Sequence, residues 1–464
     1  MKKGAILYLG LITLMDFLGE PCMAQSFVRL YKFSGGSDGE TPLAGFVQSG
    51  QLLYGSTSAG GDSGSGTIFS LGTDGVDYVL MHSFTGADGA SPTGPLVSAN
   101  GELFGTTREG GDWAEGTVFR YRLDSSELRV LYSFSGGVDG ASPYGGVIEE
   151  GHTLYGTTRL GGTAGVGTVF RINDDGTGFT TIHSFMPSKD GANPTGALTL
   201  SGGLLFGTTS GGGVLSGAGT VFAMDTNGSQ FNVLHTFFTA SDGGFLAAGV
   251  LVAGKVIYGT TPILGTKGNG TLFKLHSDGT GFTVMHTFST TYPPNGVNED
   301  GANPRSGLAL SGNRLYGTTK FGGMSGLGTL FAISTNGSGF TNLYSFSSFD
   351  GSLSNINGDG AEPQAELLVQ ENSLIGTAAE GGDGFGTAFA LSLPVESPQL
   401  SISKVGSFVV LTWSTNAVGF VLQFATDILN PTWVEVATAP AIVNGENAVT
   451  NIPTSEYLYF RLSN

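Results

Sequence analysis

The sequence predicts an all-β protein: a seven-bladed β-propeller closed by its own N-terminal strand, followed by a small C-terminal β-sandwich. Three observations lead there. A motif of the Leu-aromatic-Gly type recurs with its glycine at Gly55, Gly105, Gly156, Gly207, Gly259, Gly317 and Gly376, in steps of 50, 51, 51, 52, 58 and 59 residues. Each period holds four short apolar or alternating runs split by Gly, Asn and Asp turns, which read as four strands, and no segment keeps a helical period. A four-stranded sheet cannot cover both its faces alone and must stack against like neighbours around an axis. Finally, the fourth run occurs six times, as in "LHTF" at Leu234, while the seventh unit stops after "GTAFAL", 386–391; its missing run stands at the other end of the chain, as "VRLYKF", 28–33. The N-terminal strand is therefore expected to close the last blade and remove the open sheet edge.

Taken in order, residues 1–24 have the parts of a secretory signal: Lys2 and Lys3, an apolar stretch from Gly4 to Leu18, and "CMAQ" with small residues at Cys22 and Ala24. Cleavage before Gln25 leaves a mature chain without cysteine, extracytoplasmic and not integral to a membrane. Residues 25–392 form the propeller, with blades at roughly 39–87, 88–138, 139–189, 190–241, 242–299, 300–358, and 359–392 plus strand 27–33. Asn-Gly and Asp-Gly in "DDGTGF", "TNGSQF", "SDGTGF" and "TNGSGF" supply the positive φ that a tight hairpin between the third and fourth strands needs. "LPVESP" makes 393–398 a linker. From 399 to 464 the phase changes to alternating strands without "GTT" or "DGA", a sandwich module with Trp413 and Trp433 as expected core residues.

The combination "LYGTT…GG…GTVF…LHSF…DGAxP" resembles the GloVer tandem repeat of bacterial exported "choice-of-anchor" proteins across residues 27–392. The resemblance implies export and repetition; it implies no activity. Members of that family often end in a sorting anchor, and "YLYFRLSN" departs from that pattern.

The net charge of −18 argues against nucleic acid and anionic membrane surfaces as partners, since both need clustered Lys and Arg. The glycine loops do not read as phosphate cradles: each leads into a strand, and no "GK[ST]" follows. The repeated acids Asp38, Asp88, Asp139, Asp190, Asp242, Asp300 and Asp359 share the upper rim with those loops. They are expected to bond turn N–H groups; each loop offers mostly one carboxylate, too few oxygens for calcium, so no cofactor is expected and a calcium ring is the disfavoured alternative. His82, His183, His235 and His286 share a repeat position with Tyr31, Tyr132 and Tyr344, which marks packing or hydrogen bonding rather than catalysis. No catalytic motif stands out.

The repeat breaks in two places, "STTYPPNGVNE" before Asp300 and "SSFDGSLSNING" before Asp359. Insertions on one face of a repeat fold are often binding elements. Tyr292, Asn295, Asn298, Glu299, Asp350, Asn355 and Asn357 are the candidate contacts they carry, with Trp113 of "GGDWAEGT" as a stacking surface for a sugar. The expected function is a non-enzymatic scaffold binding a glycan or an extracellular protein. A polysaccharide lyase or hydrolase using Glu299 or Asp350, and a purely structural envelope protein, are the alternatives.

Overall fold

In the computed structural model the chain is all-β, with no α-helix among the described residues, which are 25–214, 217–238, 240–350, 356–393, 400–405, 408–414, 420–427, 431–443, 446–451 and 459–463. The signal segment 1–24, residues 394–398 of the linker, and Asn355 lie outside them. Among the described residues no helix is long and apolar enough to cross a membrane. Ser26–Leu393 forms one compact unit, and Pro394–Asn464 belongs to another.

The first unit is propeller-like, built from four-stranded antiparallel sheets. The first holds Val47–Ser49, Leu52–Thr57, Thr67–Gly72 and Val79–Ser83 in simple up-and-down order, and the same order repeats through the sixth, which ends with Thr341–Ser345. In the seventh sheet, Leu368–Gln370, Ser373–Ala378 and Thr387–Ser392 are completed by Phe27–Lys32 from the N-terminus, paired with Thr387–Ser392 from Phe27↔Leu391 to Lys32↔Thr387.

Alternation along the strands explains the stacking. In "LLYGST" Leu53 and Tyr54 point to opposite faces: Leu53 packs with Phe33 and Ile375 of the seventh sheet, Tyr54 with Leu103 and Phe119 of the second. Seven apolar clusters follow this rule, each shared by two consecutive sheets, and the cluster around Phe33 joins the last sheet to the first. Both faces of every sheet are thereby covered.

The motif glycine is required by a close approach. Gly55 pairs with Phe69 across the sheet, and a Cβ there would lie 2.7 Å from the Phe69 ring; at Gly156 the distance to Phe170 would be 2.5 Å. The Phe ring lies over the glycine. The two threonines of "GTT" and "GTV" meet beside it, as in Thr158 Oγ1 and Thr168 Oγ1 at 2.8 Å. The glycine of "DGA" closes over this hydroxyl pair: Gly140 has φ +108, and a Cβ on it would come within 2.2 Å of Thr158 Oγ1.

In the second unit a sheet of Ser401–Val405, Phe408–Ser414, Glu446–Asn451 and Ala441–Val443 and a sheet of Val434–Glu435, Val421–Ala425 and Tyr459–Ser463 share one apolar cluster of Leu411, Trp413, Leu422 and Val449. Trp413 belongs to this core. Trp433 does not: it is half-buried beside the two-residue edge strand Val434–Glu435, and the Arg461 guanidinium lies 4.4 Å from its ring centre, so a cation covers the indole instead of core side chains.

Candidate functional site

The glycine loops join the second and third strands of each sheet, and the "DGA" connections join the fourth strand to the next sheet. In up-and-down sheets both emerge at the same end, so they form one face, here called upper. The residue after "DGA" or its equivalent locks consecutive sheets together. Thr41, Ser91, Ser142, Asn193, Phe245, Asn303 and Glu362 all have φ of 55 to 60. Each donates its N–H to a carbonyl in the preceding sheet's glycine loop, at 2.6 to 2.9 Å, including Thr41 to Phe385 where the first sheet meets the seventh. Seven equivalent joints make the upper face a continuous surface.

Below these joints each repeated Asp meets the repeated His or Tyr of the preceding outer strand. Nε2 of His82, His183 and His286 lies 2.8, 2.9 and 2.9 Å from Asp88, Asp190 and Asp300, and Tyr31, Tyr132 and Tyr344 donate to Asp38, Asp139 and Asp359. His235 stands 4.0 Å from Asp242, in ion-pair range without a hydrogen bond. The carboxylates also accept from the turn, as Asp139 does from the N–H and hydroxyl of Ser135. Most of these carboxylate oxygens are engaged by the protein's own donors, whereas Asp190 Oδ1 is buried without a hydrogen-bond partner. Six of the seven outer rings stack on an aromatic of the next sheet, His183 on Phe231 at 3.9 Å and Tyr132 on Phe179 at 3.7 Å among them. Burial pushes the imidazoles of His183 and His235 below the usual range, against the pull of Asp190 and Asp242. Burial pushes Asp88, Asp139 and Asp300 up, but hydrogen bonds from turn and outer strand outweigh it, and the net shift is downward. Burial and the nearby acid raise Tyr31 and Tyr132 to about 12. This His/Tyr–Asp partnership was legible in principle, since both positions repeat with the same period.

The two long connections build the clefts of this face. Residues 289–299 fold back on themselves through paired bonds between Tyr292 and Val297, N–H to C=O at 2.9 and 3.2 Å. The loop lies so near the sixth glycine loop that a Cβ on Gly326 would come within 1.9 Å of the Asn295 carbonyl oxygen. Between it and the fifth and sixth glycine loops runs a cleft of about 270 Å3, lined by Ile263, Thr291, Asn295, Gly296 and Phe321 among others. A second cleft, of about 410 Å3, lies between Ser347, Ser348, Asp350 and the N-terminal strand's Arg29 and Lys32. Its cations are engaged: Arg29 donates to the Gly358 carbonyl at 2.6 Å, and Lys32 pairs with Asp383 at 2.6 Å.

The residues singled out from sequence therefore divide. Tyr292 is 66% exposed and Asn295 lines the first cleft. Glu299, in the same connection, is exposed, and its carbonyl accepts from Asn342 Nδ2. Asp350 lines the second cleft, one sheet further round, and Trp113 is 65% exposed at the tip of the second sheet's glycine loop. No single constellation gathers them. Asn298 and Asn357 are corrections: both are buried and fully bonded. Asn357 Nδ2 donates to the carbonyls of Ser347 and Gly360 at 2.9 and 2.6 Å, and its Oδ1 accepts from the N–H of Gly360 and Gly382 at 3.1 and 3.2 Å. Asn298 makes the same four bonds to Ser289, Gly301 and Gly323. A buried amide so engaged has nothing left to offer a ligand.

The model of the Gloeobacter/Verrucomicrobia repeat matches residues 20–158 and 115–298. No curated protein matches the chain. Solved structures with a similar course include an oligogalacturonate lyase in complex with manganese (11% identity, TM-score 0.49, 80% of this chain and 93% of that one). The extracellular domain of a putative one component system from B. thetaiotaomicron is another (10%, 0.49, 95% and 57%), and a nidogen/laminin complex a third (13%, 0.39, 63% and 91%). At these identities the likeness concerns the fold alone.

Proposed function

The chain belongs to the Gloeobacter/Verrucomicrobia repeat family, and we propose that it is an exported, closed seven-bladed β-propeller with a C-terminal β-sandwich that binds a glycan on its upper face, in the cleft between the fifth and sixth sheets. The observation that supports this most is the enlarged 289–299 connection. It adds a self-bonded loop at one joint of an otherwise regular ring, with Tyr292 66% exposed and the side chains of Ile263 and Phe321 exposed beside the cleft. A rigid ring presenting aromatic and amide groups on a pre-ordered loop loses little conformational entropy on binding. Tyr and Phe rings can lie against the apolar faces of sugar rings while Asn295 supplies hydrogen bonds. Export of residues following 1–24 and the absence of a catalytic role belong to the same reading. The carboxylates of the hydrolase alternative, Glu299 and Asp350, belong to different connections, the one before Asp300 and the one before Asp359.

The test is a polysaccharide array probed with the full chain and with Tyr292→Ala. Selective binding by the parent that the variant loses is the expected outcome. Binding to no glycan, or undiminished binding by Tyr292→Ala, would sink the reading, and product release from a bound polysaccharide would turn it into an enzyme.

A further inference from the structure

The cleft between the fifth and sixth sheets departs from the rest of the ring in charge as well as in loop length. The described residues that line it include three amides, Asn269, Asn295 and Asn303, and no acid, whereas Asp350 and Asp383 both line the second cleft. Five residues beyond the repeated Asp, six copies carry an uncharged residue; the copy that borders this cleft carries Arg305. Four residues before the Thr that opens the third strand, at the tip of the glycine loop, Lys267 of the fifth sheet is the one cation among seven copies. The two are tied to the same spot. Asn303 donates its N–H to the Asn269 carbonyl at 2.9 Å, and Arg305 and Lys267 each stand two residues from one end of that bond.

Arg305 is exposed and lies one hydrogen bond from the cleft wall. Its Nε donates to Asn303 Oδ1 at 2.7 Å, and Asn303 is itself held by its Nδ2 on the Pro262 carbonyl at 2.9 Å. That bond uses one donor of the guanidinium; the two terminal nitrogens have no partner among the described residues. Lys267 is exposed beside Gly268, which lines the cleft, and makes no ion pair among the described residues. Lys320, next to Phe321, is different: its charge is met by Glu362 at 2.9 Å. A guanidinium anchored through Nε with its terminal N–H groups free matches the paired oxygens of a carboxylate or sulfate. On a chain of net charge −18, two unneutralised cations at the edge of an acid-free cleft make a local positive field. The remaining surface repels a long polyanion, so recognition has to be local and to involve more than charge.

We propose that the ligand of this cleft is an acidic glycan, one whose sugars carry a carboxylate or sulfate, with that oxyanion taken by the free fork of Arg305 and drawn in by Lys267. The sugar ring beside it lies against Phe321, which lines the same cleft, and the amide of Asn295 meets its hydroxyls. This inference rests on the glycan reading and narrows it to a class of sugar.

An array divided into uronate polymers (alginate, hyaluronan), sulfated polymers (carrageenan, dextran sulfate) and neutral polymers (dextran, xylan, cellulose) tests this, with single-stranded DNA as the polyanion that is not a polysaccharide. The full chain is expected to bind a polymer of the acidic groups and neither the neutral ones nor DNA; which acidic group it binds tells carboxylate from sulfate. Esterifying or desulfating the bound polymer should abolish binding, and added salt should weaken it. In titrations with that polymer, Arg305→Gln should weaken binding by about tenfold and Lys267→Gln by about threefold, with Arg305→Lys, which keeps the charge without the fork, in between. All three variants are expected to unfold at the parent's temperature, since both side chains are exposed. Binding confined to neutral polymers and lost in Tyr292→Ala would overturn the acidic class and leave the glycan reading standing. Binding to no polymer would overturn both. Equal binding of DNA, or undiminished binding by Arg305→Gln, would overturn the assignment of the oxyanion to Arg305.

Discussion

The short and the long connections of the upper face make the same joint by different chemistry. In four short ones a main-chain carbonyl, that of Gly36, Gly86, Gly137 or Pro187, accepts the N–H of a loop glycine, Gly61, Gly111, Gly162 or Gly213, at 2.8 to 2.9 Å. Where the connection lengthens, the acceptor changes from main chain to side chain, while the Asn298 N–H donates to the Gly323 carbonyl at 3.1 Å. There the Oδ1 of Asn298 or Asn357 takes the carbonyl's place, accepting from Gly323 at 2.9 Å and Gly382 at 3.2 Å. An Asn side chain carries the same amide group as a peptide bond, donor and acceptor together. One residue thus stands in for a missing peptide unit, and the remaining loop is released to form a cleft without opening the ring.

The largest effect should come from removing the stand-in. Asn298→Ala and Asn357→Ala each leave buried glycine N–H groups unpaired and forfeit four hydrogen bonds, which should cost about 3 kcal/mol in denaturant unfolding. Replacing residues 289–299 with the four residues of a short connection, 135–138, should restore stability to within about 1 kcal/mol of the parent while abolishing the cleft. If the graft is as unstable as Asn298→Ala, the equivalence of the two joints is wrong. Changes on the released part should reverse the pattern. Tyr292→Ala and Asn295→Ala should each weaken glycan binding by about tenfold, read by titration, with stability unchanged within about 0.5 kcal/mol.

A smaller effect concerns the His/Tyr–Asp pairs beneath all the joints. His183 and His235 have folded pKa values below the unfolded value, so the stability they support is present above the unfolded pKa and is lost as pH falls below it. Asp88, Asp139 and Asp300, also lowered, lose theirs only at more acidic pH, as it falls through their folded values. Acid unfolding should therefore begin with the histidines. His183→Tyr with His235→Tyr, the residue other copies use, should flatten unfolding temperature between pH 7 and 5 and leave the acidic limb in place. An unchanged slope would remove the pairs from the account. The smallest effect is expected for Trp113→Ala: exposed and on the second sheet, it should change neither stability beyond about 0.5 kcal/mol nor binding at the distant cleft.

The repeat made most of the fold legible. A period carrying two-residue alternation fixes which side chains face each neighbouring sheet, so Leu53 and Tyr54 could be assigned to opposite interfaces, and a missing fourth run could be sought at 28–33. The site was less legible because a polar residue in a long loop reads the same whether it faces solvent or the protein. Asn357 and Asn298 share a position, two residues before the repeated Asp, and that coincidence was the available signal for a structural role. Trp433 failed for a related reason: large aromatics usually mark a core, yet an edge strand offered it a guanidinium instead.

Amide hydrogen exchange tests the stand-in claim most directly. Gly323 and Gly382 N–H should be protected to the same degree as Gly61, Gly111 and Gly162, while the amides of Thr290 and Thr291 exchange faster, because side-chain and main-chain acceptors hold equivalent joints. Exchange of Gly323 and Gly382 at the rate of the loops above them would mean that the long connections interrupt the ring instead of preserving it.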